Sequence, residues 1–198
     1  MPDLAAGAEA LRAEAGLVAL EGGRHPGLGT ANRIVPFGDN YLELIAIVDP
    51  DEARSSPFSH RIRRALDSGW RFAGWALRTD SIEAERERLS SIGEKLEGPF
   101  DRSRERPDGS VLHWRMLFPA DLDIGLPFFI EWQLPAGDHP AAGKAEHPAG
   151  RVRIENVTVT TPRWERARSW IPESIPCEIV TGEASRVMRV QLSHRTLE

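Results

Sequence analysis

Two carboxylates stand in the middle of predicted strands, where acidic side chains are uncommon. Glu43 shares its strand face with Tyr41 and Ile45, and Glu131 shares its face with Phe129. A carboxylate among apolar neighbours is costly to bury unless it is paired, so each is either the partner of an arginine or a group kept for chemistry. As site residues, both would serve as general bases or as ligands of a divalent metal.

His25 is the third candidate catalytic residue, and it lies in a segment rich in glycine and proline, His-Pro-Gly-Leu-Gly-Thr. Loops with this backbone freedom often approach ligands, and the alternative is a turn histidine that bonds its own backbone. Asn32, on the strand that follows, would either orient a substrate carbonyl or cap the loop.

Three further side chains are candidates for binding the substrate. His113 and Arg115 share one strand face, with Trp114 on the other. If the first face is concave, the pair would bind an anion and take part in acid–base chemistry, whereas a solvated sheet face is the alternative. Trp75 is predicted to line either the pocket or the core.

The elements that position these residues are predicted from helix caps and apolar periodicity. Asp3 caps a helix over residues 4–15, Ser56-Pro57 opens a second, Asp80 a third and Thr161-Pro162 a fourth. Strands are predicted over residues 31–37, 41–48, 72–78, 111–118, 127–134, 151–160 and 187–192, and residues 136–150 form a polar linker.

Composition excludes several classes of protein. The net charge of −5 argues against nucleic acid as the main partner. No apolar run approaches the ~18 residues of a membrane span. A single cysteine, Cys177, excludes a disulfide framework, and the acidic first residues do not resemble a secretion signal. The expected compartment is therefore the cytoplasm.

Four segments carry a resemblance to a known family: residues 22–32, 41–45, 72–80 and 126–132. Over about residues 1–135 the chain resembles the bacterial glyoxalase-like domain of the vicinal oxygen chelate superfamily. The resemblance implies an α+β fold in which paired βαβββ modules form a curved mixed sheet around a cavity. It also implies a glyoxalase-like domain over 1–135, a linker over 136–150, and a shortened third module over 151–198 that packs on the first.

The first module is predicted to lack its leading strand, because the sequence begins at the cap of that module's helix. The open edge would be covered either by the third module's strand, residues 151–160, or by a second copy of the chain in a homodimer.

In catalytic members of the superfamily, a divalent metal is held by the first and last strands of the modules. Here Glu43 and Glu131 occupy the last-strand places, whereas Ala73 or Gly74 and then Asn156 occupy first-strand places. Two carboxylates without an imidazole are a poor zinc site, although Mg²⁺ or Mn²⁺ stays open. We therefore assign no metal ligands and expect no cofactor.

Two functions follow from the resemblance. The first is a lyase or isomerase that acts on a small oxygenated metabolite. The alternative is a metal-free small-molecule binding protein of the same fold, of the resistance or sequestration type. In either case the expected partner is a small molecule, with no nucleic acid and no membrane. The candidate catalytic residues are Glu43, Glu131 and His25, and the candidate substrate-binding residues are Asn32, His113, Arg115 and Trp75.

Overall fold

The computed structural model describes residues 3–106, 108–135 and 137–198; Met1, Pro2, Pro107 and Ala136 lie outside the described residues. In chain order the elements are α1 (Leu4–Ala15), β1 (Leu20–His25), β2 (Thr30–Pro36), β3 (Tyr41–Ile47), α2 (Pro57–Asp67), β4 (Ala76–Arg78), α3 (Ile82–Ser91), β5 (Leu96–Glu105), β6 (Val111–Pro119), β7 (Phe128–Trp132), β8 (Ile154–Thr161), α4 (Trp164–Trp170), β9 (Cys177–Thr181), β10 (Arg186–Leu192) and β11 (Thr196–Leu197). Short 3-10 helices lie at Glu52–Ser55 and Pro140–Ala142.

Local capping chemistry sets the helix ends. The Asp3 side chain accepts hydrogen bonds from the first backbone N–H groups of α1, and Gly16 ends that helix in the left-handed conformation at φ 63°. Ser56 caps α2 in the same way, with Pro57 at its first position. The third helix differs by one residue from the prediction, since Ser81 rather than Asp80 is its cap.

The strands form three sheets with the orders β1-β2-β3, β4-β7-β6-β5 and β11-β10-β8-β9. The second sheet and α3 form a complete βαβββ module, in which the leading strand β4 runs parallel to β7. In the first module α1 precedes three antiparallel strands, and no described strand precedes α1. The α+β fold built from βαβββ modules is confirmed.

The third module pairs its strands within its own sheet. Strand β8 lies between β9, to which it is parallel, and β10, to which it is antiparallel. Both of its edges are therefore used, and the prediction that residues 151–160 pair with the first module is wrong. Strands that are close in the sequence pair with a small loop-closure cost, which favours this local arrangement. Coverage of the first module by a second copy stays a prediction.

The first two sheets differ from the sequence prediction at three strands. The strand predicted over residues 72–78 is confined to Ala76–Arg78, and Gly74 before it adopts φ 148°, outside the strand region. Strands β1 and β5 were not predicted. The first contains the pair Gly22-Gly23, and the second is rich in charged residues, so neither has the composition typical of a strand.

Two apolar clusters lie on opposite faces of the second sheet. The main core joins helices α1, α3 and α4 to the sheets and includes Leu89, Leu117, Phe129 and Trp170. The second cluster contains the alternate residues of the same strands, Leu112, Trp114, Met116, Phe118, Phe128 and Ile130. Because side chains alternate along a strand, this division determines which residues of β6 and β7 face the helices and which face the concave side.

The segment 137–150 packs against the first module. The His147 ring accepts a hydrogen bond from Val18 N at 3.0 Å, and its other nitrogen lies 2.8 Å from the Pro36 carbonyl oxygen. Ala141 is fully buried. None of the helices in the described part of the chain has both the length and the apolar character needed to cross a membrane.

Candidate functional site

A cavity of about 840 Å³ lies on the concave side of the first two sheets. Its walls are formed by β2 and β3 of the first sheet and by Trp114, Met116, Phe128, Ile130 and Trp132 of the second. Helix α2, the segment around Trp75 and the third sheet contribute the rest of the lining. Most of the surface is apolar, so the few polar groups that face the cavity decide how a ligand is oriented.

Glu43 opens onto this cavity, and two hydrogen bonds hold it in place. Asn32 Nδ2 donates to Glu43 Oε1 at 2.5 Å, and the Gly23 backbone N–H donates to Asn32 Oδ1 at 3.1 Å. The backbone donor requires the amide oxygen on its own side, so the amide NH₂ must point at the carboxylate. The Glu43 side chain is exposed to the cavity, so a ligand in the cavity can reach it.

The surroundings of Glu43 shift its pKa upward from the ordinary value of a glutamate. Burial raises the pKa of Glu43, and the Asn32 hydrogen bond and the nearby Arg104 charge oppose that rise. Glu43 lines the cavity together with its strand neighbours Leu42 and Leu44, and these two leucines also pack against the main core.

The adjacent glycines Gly22 and Gly23 make room for two of the site's side chains. A Cβ at Gly22 would overlap the Asn32 side-chain oxygen. A Cβ at Gly23 would lie 2.6 Å from the Glu105 carbonyl oxygen and 3.0 Å from Arg104 Nη1. The β1–β2 pairing shifts register at this point. Close approach of the neighbouring strands therefore requires glycine at both positions.

His25 lines the cavity as a buried, neutral group. It is the last residue of β1, and its Nδ1 lies 2.9 Å from Thr30 Oγ1. The ring meets Trp114 edge-on, with centroids 5.9 Å apart. Burial, with a smaller contribution from Arg104, lowers the pKa of His25 to about 3. Near neutral pH the imidazole can take part in hydrogen bonds but cannot supply a positive charge. Its catalytic role stays a prediction.

Glu131 does not face the cavity, so the prediction that it shares a cavity with Glu43 is wrong. Its Oε1 accepts a hydrogen bond from the Ile82 N–H at 3.2 Å, in the first turn of α3. Its Oε2 lies 3.4 Å from Arg115 Nη1. A carboxylate at a helix N-terminus is stabilised by the helix dipole, which is a structural role.

Arg115 and His113 lie on the same face of the sheet as Glu131, where His113 is exposed to solvent. Arg115 Nη2 also donates to Glu83 Oε1 of α3 at 2.7 Å. The register pairs Arg115 with Glu131 across β6 and β7, so both side chains must project from one face. The concave face carries Trp114 and Trp132 instead, with ring centroids 5.3 Å apart. The expectation that His113 and Arg115 line a concave face is therefore wrong.

Sequence reasoning missed Arg104. Residues 102–106 look like a solvated hairpin tip, yet Arg104 is 5% exposed and lines the cavity. Its position opposite the buried Leu112 would have revealed it only if the β5–β6 register had been known. Trp75 also lines the cavity, and its indole N–H donates to the Gly125 carbonyl at 2.9 Å.

The cavity's donor set does not fit the metal site that the superfamily implies. Among the described residues, no group of three or more His, Cys, Asp or Glu side chains is placed to hold a metal ion. Two of the possible ligand atoms already have hydrogen-bond partners: Glu43 Oε1 accepts from Asn32, and His25 Nδ1 lies next to the Thr30 hydroxyl. Hard divalent cations need several oxygen ligands, and the cavity does not bring them together.

Comparison with known proteins agrees with this architecture. A family model described as a glyoxalase-like domain matches residues 1–175. The chain belongs to the glyoxalase-like domain family. A search of curated proteins gave no match.

A solved structure shares the fold of this chain, and two others give weaker superpositions. A hypothetical protein from Staphylococcus aureus is 19% identical and superposes with a TM-score of 0.68, covering 89% of this chain and 82% of that one. Methylmalonyl-CoA epimerase from Streptomyces coelicolor, in complex with 2-nitronate-propionyl-CoA, is 18% identical, with a TM-score of 0.48 over 67% of this chain and 91% of that one. The epimerase from Mycobacterium tuberculosis is 16% identical, with a TM-score of 0.43 over 67% and 81%. The resemblance drawn from the sequence is confirmed.

Proposed function

We propose that this protein is an enzyme of the isomerase or lyase type that removes a proton from a small oxygenated metabolite, with Glu43 as the general base. The observation that carries the proposal is the Glu43 carboxylate, which opens onto the cavity while Asn32 holds one of its oxygens. Oε2 makes no hydrogen bond to the described residues, which leaves it for a ligand.

The electrostatics suit a base of this kind. A carboxylate whose pKa is raised is a stronger base than an ordinary one. Burial moves the pKa of Glu43 in this direction. General-base catalysis by a positioned side chain contributes about 10²- to 10⁴-fold to a rate.

The proposed step breaks a C–H bond next to a carbonyl group. The proton goes to Glu43 Oε2, and the C–H electron pair moves through the carbon framework onto the carbonyl oxygen, which becomes an enolate. In an isomerase the proton then returns to carbon, and in a lyase a leaving group departs as the carbonyl re-forms. Arg104 faces the same cavity and is close enough to affect the ionisation of Glu43, so its charge would stabilise the enolate.

A metal-free binding protein is the second candidate. It is favoured by the aromatic lining of the cavity, where Trp114 and Trp132 lie 5.3 Å apart and give an apolar ligand a large contact surface. Binding of this kind would need no base.

Exchange with solvent deuterium separates the two functions. The protein is incubated in D₂O with 2-hydroxy, 2-oxo and 3-oxo acids and with the matching aldehydes, and loss of the C–H signal is followed by NMR. We expect exchange with at least one class, and a fall of about 100-fold or more in Glu43→Gln.

A matched control is Glu21→Gln, which changes an exposed glutamate on the neighbouring strand β1 and should leave exchange unchanged. Binding without exchange across the whole panel would favour the binding protein. Exchange that survives in Glu43→Gln would contradict the role given to this residue.

A further inference from the structure

We propose that the cavity recognises a small organic carboxylate, whose anionic group binds Arg104 beside Glu43. This names the substrate class of the proposed enzyme and rests on the proposed function for the role of Glu43. The binding of the anion to Arg104 stands independently of it.

Arg104 is a buried cation with no ionic partner among the residues that the structure describes. It is 5% exposed, and no carboxylate oxygen of those residues lies within 4.0 Å of its guanidinium nitrogens. Its Nη1 is buried without a hydrogen-bond partner. By contrast, the half-buried Arg166 is paired with Glu94 at 2.6 Å and with Asp121 at 2.8 Å. A buried charge without a partner is costly, so an acceptor supplied by a ligand accounts for its position.

The backbone of the neighbouring strand β1 leaves space for the Arg104 side chain. Strand β5 runs next to β1, and Gly23 of β1 lets the guanidinium lie against the strand, since a Cβ there would approach Nη1 to 3.0 Å. The same Gly23 donates its N–H to Asn32, which holds Glu43. One glycine therefore places both the cation and the base on the same part of the cavity wall.

The other titratable groups near Arg104 do not satisfy it. Glu43 accepts its hydrogen bond from Asn32 and lies beyond salt-bridge distance of Arg104. Burial raises the pKa of Tyr41 and lowers that of His25, so both are neutral near pH 7 and neither competes with an anion. A neutral phenol can also donate a hydrogen bond to a bound carboxylate.

A carboxylate fits this arrangement better than a neutral oxygen. Its two oxygens match the parallel N–H groups of a guanidinium. The carbon next to the carboxylate would then lie toward Glu43, where proton removal is proposed. The apolar remainder of the molecule would pack on Trp114 and Trp132, which line the cavity.

The second buried arginine of the cavity, Arg61, lies at the opposite end. Its Nη2 donates to the Leu126 carbonyl at 2.8 Å, and its guanidinium lies 6.0 Å from the Phe118 ring. Leu112, the neighbour of Arg104, and Phe118 lie on the same strand, about 20 Å apart at ~3.3 Å per residue. The two arginines are therefore separate sites, and variants can tell them apart.

The test uses three ligands that share a phenylalkyl group and differ in the polar group: 4-phenylbutanoate, 4-phenylbutanamide and 4-phenylbutyl phosphate, titrated by calorimetry. Hydrogen bonds to a charged group contribute about 1.5–3 kcal/mol, so we expect the acid to bind about 10- to 100-fold more tightly than the amide. Arg104→Gln should reduce acid binding to the level of the amide and leave amide binding unchanged.

Three variants serve as controls. Arg102→Gln changes an arginine on the same strand that does not line the cavity, and it should leave acid binding intact. Arg104→Lys keeps the positive charge but loses the parallel N–H donors of the planar guanidinium, so this variant should bind the acid with intermediate affinity. Glu43→Gln should still prefer the acid to the amide. Deuterium exchange that survives in Glu43→Gln, or that the wild type lacks, with this preference retained would reject the proposed function and leave the carboxylate site standing.

Four outcomes would overturn the proposal. They are equal binding of acid and amide by the wild type, equal loss of both ligands in Arg104→Gln, tighter binding of the phosphate than of the carboxylate, and loss of acid binding in Arg61→Gln alone. Arg104→Gln removes an unpaired buried charge, so it should fold at least as stably as the wild type, and a thermal melt checks this.

Discussion

Acidification should destabilise the protein through His25 well before most carboxylates titrate. The ring is 5% exposed and faces Thr30 and Trp114 rather than an acid. Burial lowers the pKa of His25 from 6.5 to about 3. The unfolded chain therefore binds a proton below pH 6.5 that the folded protein does not bind until about pH 3.

The sign and size of the effect follow from linkage. A depressed histidine pKa leaves stability at its full value above pH 6.5 and removes it as the pH falls toward 3. Each pH unit inside this window costs about 1.4 kcal/mol, so the loss due to His25 is about 3 kcal/mol at pH 4.5 and about 5 kcal/mol at pH 3. For a domain of this size, 3 kcal/mol is a large share of the total stability.

Urea unfolding of the wild type and of His25→Gln, at half-unit steps from pH 4 to pH 8, measures this contribution. Glutamine keeps an amide that can bond Thr30 but does not titrate. The wild-type minus variant difference cancels the other groups, including Glu14 and Asp121, whose pKa values are lowered by arginine partners.

We expect the difference in unfolding free energy to be constant between pH 7 and pH 8, which is an internal control. It should then fall by about 3 kcal/mol in favour of the variant at pH 4.5. A difference that stays flat down to pH 4.5 would show that water or an anion solvates the ring, and would refute the description of His25 as buried and neutral.

Four further predictions concern the cavity and the ion pairs. Gly22→Ala places a Cβ on the Asn32 side-chain oxygen, so it should cost about 1–3 kcal/mol in a urea titration and slow deuterium exchange; unchanged exchange would contradict the positioning role of Asn32. Because burial raises the pKa of Glu43, the folded protein resists its ionisation, and Glu43→Gln should gain stability relative to the wild type as the pH rises from 4 to 7; a gain on acidification would reverse the assigned shift. The buried Asp123 carboxylate lies 2.6 Å from Arg163 and 3.4 Å from Arg166, so Asp123→Ala should lower the unfolding free energy by about 2 kcal/mol, and a loss below about 0.5 kcal/mol would mean that the pairs are solvated. Zn²⁺, Ni²⁺ and Mn²⁺ should leave the melting temperature unchanged, whereas a rise with one metal that Glu43→Gln abolishes would restore a chelate mechanism.

Features that depend on a few neighbouring residues could be predicted from the sequence. Asp3 and Gly16 bound α1, and Ser56-Pro57 opens α2, because caps act through hydrogen bonds within one turn. The βαβββ order was expected from the family resemblance, because two of its strands, β1 and β5, lack the local composition of a strand. Glu43 could be placed because Leu42 and Leu44 flank it, so alternation left one face for the carboxylate.

The choice of face on the second sheet could not be predicted. Strand β6 carries large apolar residues on both faces, with Trp114 on one and Leu117 on the other. Either face could have been concave until helix α3 was placed. Glu131 and Arg115 form hydrogen bonds with residues in the first turn of α3, so they lie on the face opposite the cavity. The assignment of site roles to these residues failed for that reason.

The sequence alone was enough to predict the family and the α+β fold through four segments of resemblance, and to single out Glu43 as a carboxylate on an apolar strand. Only the tertiary structure showed that Arg104 is buried, because its burial depends on register with Leu112 and on the approach of β1 to β5. Only the tertiary structure joined Gly23, Asn32 and Glu43 into one hydrogen-bonded chain. Contacts between strands depend on pairing and sheet curvature, which local propensity does not encode.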